Sequence, residues 1–142
     1  TPHTWDFNGS LQGWGNAYQI SNLTESNGCM EGTITGTDPY VFSADYLGID
    51  LSSRSIVRIR MKNSTSATTA DIYFTTNESP SFGDEKKVSF NIIANDDGYT
   101  EYVIDMSVNA YWTGTLKRFR LDPNNWATSG TFSVDYIDIT SS

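Results

Sequence analysis

Apolar residues recur at every second position in short runs along this chain, turn-forming residues separate the runs, and no stretch sustains a helical period. Alternation sends successive side chains to opposite sides of an extended backbone, so each run buries one face of a strand and leaves the other wet. Residues 55–62 are the clearest case, with Val57, Ile59 and Met61 inward and Arg58, Arg60 and Lys62 outward. Residues 71–75, 87–92, 101–106 and 117–122 repeat the pattern, and weaker runs at 4–7, 18–23 and 29–35 precede them, the last two around the hairpin dipeptide Asn27-Gly28.

The final run, residues 131–139, changes phase partway. Phe132 and Val134 lie on one alternation, Ile137 and Ile139 on the other. A β-bulge near Asp135 and Tyr136 absorbs such a slip and gives the Asp135 carboxylate an assigned direction.

The 142 residues suffice for one domain with a sizeable core, and no second domain fits beside it. Roughly eight to ten strands without repeats or linkers suit two antiparallel sheets packed face to face, an all-β jelly-roll β-sandwich spanning 1–142. An immunoglobulin-like sandwich fits less well, because the length is greater and the Cys-Trp-Cys spacing is missing.

A net charge of −8 disfavours a nucleic-acid partner. No apolar stretch is long enough to cross a bilayer, and the start of the chain lacks a charged and apolar leader, so a soluble, excised or processed fragment is expected. Cys29 stands alone beside Met30 and reads as a small core hydrophobe. All nine Lys and Arg fall between Arg54 and Arg120, which would lay a cationic strip on an acidic protein if the strands bring them together.

Catalytic chemistry has little to build on. His3 is the only histidine, and Asp96-Asp97 next to Gly98 reads as a solvated turn rather than a glycosidase pair. Exposed rings are the better lead, since a flat aromatic face covers the apolar side of a pyranose while amides, carboxylates and guanidinium groups bond its hydroxyls. Trp5 alternates with Phe7 and Trp112 plugs a strand edge, so both read as core. Trp14, between Gly13 and Gly15, and Trp126, among Asn124, Asn125, Ala127 and Thr128, are the candidates for exposure. A second candidate surface is an outward face built from Arg58, Arg60, Tyr73, Asn91, Arg118 and Arg120.

Trp5-Asp6-Phe7, residues 11–14, residues 36–40, residues 60–63, Trp112-Thr113-Gly114 with residues 118–123, and residues 134–137 together resemble jelly-roll carbohydrate-binding modules of the galactose-binding-like type, nearest to families four, sixteen and twenty-two. The resemblance implies a secreted, extracellular, non-catalytic, monomeric module that targets the catalytic domain of the same parent chain to a polysaccharide. It places stacking rings at Trp14 and Trp126. It also implies a structural calcium, with Asp135 as the last-strand ligand and Asp6, Asn8 and Glu31 supplying further oxygens, a hard donor set that suits this ion. The arginines leave open whether the glycan is a neutral β-glycan or a uronate such as alginate. The alternative is a structural or adhesion domain with no sugar site.

Overall fold

The structure, a computed structural model, describes residues 3–141; the sequence reading at Thr1 and Pro2 lies outside them. Among the described residues eleven strands form two antiparallel sheets. One contains β1 (Gly15–Tyr18), β4 (Tyr40–Phe42), β10 (Thr115–Asp122), β7 (Thr69–Thr76) and β8 (Lys87–Asn91) in that order, with β5 (Ile49–Asp50) also paired to β10. The other runs β2 (Ile20–Ser26), β3 (Cys29–Ile34), β11 (Thr131–Thr140), β6 (Ile56–Ser64) and β9 (Thr100–Asp105). The all-β sandwich expected from the alternation is the architecture found.

Between the sheets, inward residues of both close a single core. Val57, Ile59 and Met61 of β6 and Val134 and Ile137 of β11 are fully buried from one side, and Ile72, Phe74, Phe119 and Leu121 from the other. Cys29 is buried, but outside this core: alternation with inward Met30 turns its thiol to the other side of β3, where Sγ accepts from the Tyr99 hydroxyl at 3.5 Å.

The predicted bulge in β11 lies between Val134 and Tyr136, where the pairing with β6 shifts register. The slip keeps Val134 and Ile137 both inward and turns Asp135 outward, where it meets Arg60 at 2.6 Å. A second slip in β10 separates inward Leu116 from inward Phe119 by two residues, so Lys117 and Arg118 both lie on the outer side of that strand.

Residues 4–7 depart from the predicted strand. Only Trp5 bridges Ile137, and Phe7 turns out of extended conformation at φ 53. The run at 18–23 is likewise broken in two at Gln19, φ 55, so that β1 joins one sheet and β2 the other. His3 has its ring stacked on Tyr136 at 3.9 Å and its Nδ1 2.6 Å from Asp138.

Candidate functional site

On the outer face of the six-stranded sheet, alternation leaves a row of side chains that runs across the strands. Register places Tyr18 opposite Tyr40, Phe42 opposite Arg120, Arg120 opposite Tyr73, and Tyr73 opposite Lys87. One step along, Asp122 faces Asp71 and Asp71 faces Ser89. The rings of Tyr18 and Tyr40 stack at 5.0 Å, and the Arg120 guanidinium lies between Tyr40 and Tyr73, 3.8 and 4.3 Å from their centroids.

Arg120 is fixed in plane by Asp122, whose two carboxylate oxygens accept from Nε and Nη2 at 2.8 Å each. A fork of this kind holds both partners in one orientation. Burial pushes the Asp122 carboxyl up to about 6, against the opposing pull of Arg120. Tyr73 is also buried, its hydroxyl donates to Asp84 at 3.1 Å, and burial followed by that bond raises its pKa. Asp71 accepts from the Ser89 hydroxyl at 2.6 Å.

Asp71, Tyr73, Lys87, Ser89 and Asp122 line a cleft of about 600 Å³, walled by the segment carrying Thr37 and Asp38, by Asp84 and by the β10–β11 loop with Asn125 and Trp126. The volume is ordinary for a ligand site. Four aspartates, Asp38, Asp71, Asp84 and Asp122, face it against the single ammonium of Lys87.

Trp126 stands on the rim with 79% of its surface exposed. Its loop is not loose: Trp126 N–H donates to Thr37 O at 3.1 Å, and Asn125 N–H donates to Thr69 O at 3.0 Å. The Trp126 backbone is left-handed at φ 70, a strained conformation for a bulky residue. Beneath it, the Asn124 side chain is buried on Asn63. At the end of the loop Gly130 takes φ +107, and a Cβ there would lie 2.3 Å from Ser64 O, so glycine is required.

Several sequence expectations are redistributed. Trp126 is exposed as predicted, and Tyr73, Arg118 and Arg120 share its sheet face, with Asn91 exposed on edge strand β8 opposite Thr69. Trp14 is not a stacking ring: it is 3% exposed and sits edge-on to Trp5 and Phe7. The flanking Gly13 lets the segment approach Ala44, where a Cβ would come within 2.9 Å, so this glycine serves close packing rather than exposure.

Arg58 and Arg60 belong to β6 in the other sheet and face away from the cleft, paired with Glu101 and Asp135. The cationic strip is therefore divided between opposite surfaces of the sandwich. Arg118 stays on the cleft's sheet but lies over the Phe42 ring at 4.4 Å and donates to Ser43 O.

Asp135, Asp6 and Glu31, three of the four expected metal ligands, do not form one cluster, and Asn8 lies beside Asp6. Asp135 is neutralised by Arg60, Glu31 accepts from Ser133 at 3.3 Å, and Asp6 accepts from Asn8 N and Gln12 Nε2. Among the described residues no three His, Cys, Asp or Glu side chains converge on a point that could hold an ion.

The cleft aspartates and Tyr40 were not singled out from sequence. A signal for Tyr40 was present in Tyr40-Val41-Phe42, where one apolar residue inward implies two rings outward; Asp71 and Asp122 needed the register between β7 and β10.

Solved carbohydrate-binding modules share this fold. A family 11 carbohydrate-binding module of the cellulosomal cellulase Lic26A-Cel5E of Clostridium thermocellum superposes with a TM-score of 0.64 at 20% identity, over 99% of this chain and 94% of that one. A family 11 module from Clostridium thermocellum in complex with a beta-1,3-1,4-mixed-linked tetrasaccharide gives 0.61 at 21% identity, over 96% and 93%. A CBM4 module gives 0.61 at 13% identity, over 92% and 95%. No protein-family model and no curated protein sequence matches the chain.

Proposed function

We propose that this domain is a non-catalytic carbohydrate-binding module whose cleft on the six-stranded sheet takes a neutral β-glucan, and that it serves a secreted parent enzyme by holding it on polysaccharide. One observation carries the reading: an exposed indole, on a loop whose backbone is held by two hydrogen bonds, flanks a polar cleft on the outer sheet face. The fold shared with the carbohydrate-binding modules supports it, and one of those is in complex with a beta-1,3-1,4-mixed-linked tetrasaccharide.

Ligand charge follows from the groups that line the cleft. A uronate carboxylate would meet four aspartates and one lysine, and the neighbouring Arg120 guanidinium is already satisfied by Asp122. Neutral hydroxyls suit this surface, because carboxylate oxygens accept from them without adding charge.

Asp71 and Asp122 face each other across β7 and β10, an arrangement that invites a hydrolase reading. Both Asp122 oxygens are held in the Arg120 fork and Asp71 is bonded to Ser89, so the pair supports orientation of a ligand rather than proton delivery to a glycosidic oxygen.

Affinity electrophoresis of the domain in gels containing mixed-linkage glucan, xylan, mannan, pectin or alginate tests the reading. Retardation by a neutral glucan, unchanged by salt, is expected. Retardation by pectin or alginate alone, or by no gel, would overturn it, the latter in favour of a structural domain. Sustained release of sugar would make it an enzyme.

A further inference from the structure

We propose that Tyr46 forms a second sugar-stacking subsite on the same sheet face, far from Trp126, so that the domain reads the length of a glucan chain. The inference rests on the carbohydrate reading of the cleft.

Tyr46 and Trp126 are the two most exposed aromatic residues described, each at 79%. Both stand on left-handed backbone, φ 57 and φ 70, and both are held in place. The Lys117 ammonium sits 4.4 Å from the Tyr46 ring centroid and is itself anchored by Asp45 at 2.8 Å. Asp45 also accepts from the Tyr46 N–H, and the next residue, Leu47, donates its N–H to Lys117 O. One ring face is thus backed by a cation while the high exposure leaves the other open, a platform set before any ligand arrives.

The bulge in β10 is what brings Tyr46 to the glycan side. Without the extra residue Lys117 and Arg118 could not both project outward, and Tyr46 follows Lys117. Arg118 pairs with Thr75 and Asn125 bonds Thr69, so the two platforms are separated along β7 by about 20 Å at roughly 3.3 Å per residue. Between them the surface stays ring-rich, with Phe42 under Arg118 and Phe82 edge-on to Phe42 at 5.4 Å.

A glucan spanning that distance gains a second stacking contact that a short oligosaccharide cannot reach. The test is calorimetric titration of wild type, Y46A, Y46W and W126A with cellotriose, cellohexaose and soluble mixed-linkage glucan. Y46A should bind cellotriose as wild type does and lose about tenfold in affinity for the long ligands, with Y46W retaining it. W126A should lose affinity for all three. If Y46A matches wild type on the long ligands while W126A is weakened, the Tyr46 subsite is wrong and the cleft stands. If wild type binds none of these glucans, or W126A binds as wild type does, the cleft reading fails and takes the Tyr46 subsite with it.

Discussion

Asn124 donates its side-chain amide to Asn63 Oδ1 at 2.6 Å, and both residues are fully buried. Asn63 spends its own two amide hydrogens on Ala67 O and Ile93 O, and its oxygen also accepts from Thr65. One residue of β6 thereby ties together the β6–β7 turn, the segment after β8 and the loop that presents Trp126.

Replacing Asn63 by Leu strands the buried Ala67 carbonyl, the Thr65 hydroxyl and the Asn124 amide together. Unmade buried hydrogen bonds cost about 1–3 kcal/mol each, so a loss of about 3 kcal/mol or more is expected. In thermal unfolding this is a fall in Tm of roughly 10 °C. Asn124→Ala should be milder and should weaken glucan binding as well, because it frees the Trp126 loop; unchanged binding in a folded N124A would separate the network from the site.

Trp126→Ala should lower glucan affinity about tenfold or more while leaving Tm unchanged or slightly raised, since an exposed ring contributes to the ligand contact and hardly to the core. Titration and melting of the same preparation read both effects.

Trp14→Ala should do the reverse. Removing a buried indole from contact with Trp5 and Phe7 costs about 3–5 kcal/mol. Whatever fraction remains folded should bind glucan with near wild-type affinity; selective loss of binding at full stability would return Trp14 to the site.

Asp122 predicts opposite pH effects on folding and on binding. Its folded pKa, about 6, lies above the ordinary 3.8, so the folded state holds the proton more tightly than the unfolded chain. Stability from this carboxyl is fully present only below the ordinary 3.8 and is lost as pH rises through 6, by at most about 3 kcal/mol. Protonation also loosens the fork on Arg120, so glucan affinity should fall as pH drops below 6. Asp122→Asn should flatten both profiles.

Asp135 is engaged by Arg60 at 2.6 Å with both side chains about a third exposed, 34% and 40%. Asp135→Asn should therefore cost less than about 1 kcal/mol. Melting in chelator and in millimolar calcium should coincide; a calcium-dependent gain of several degrees would restore the metal reading.

Alternation made the sandwich legible, because burying one face of a strand constrains every second residue of it. The slip from Val134 to Ile137 even located a bulge. What alternation could not say is which of two sheets a strand joins, and so Arg58 and Arg60 were grouped with Arg118 and Arg120 although the two pairs face opposite ways. Trp126 was legible because nothing apolar surrounds it in sequence. Trp14 misled because glycine neighbours can either bare a ring or let the chain fold tightly over it, and the choice depends on Ala44, thirty residues away. Tyr46 gave no signal, its role depending on a register slip in β10.

The left-handed backbone under Trp126 has a practical corollary. Glycine or asparagine would adopt φ 70 with less strain, by about 1 kcal/mol for glycine. A directed-evolution campaign that rewards heat resistance alone should therefore discard the indole early and return hardier proteins that no longer hold their polymer, whereas selection on immobilised glucan should keep it at the expense of melting temperature.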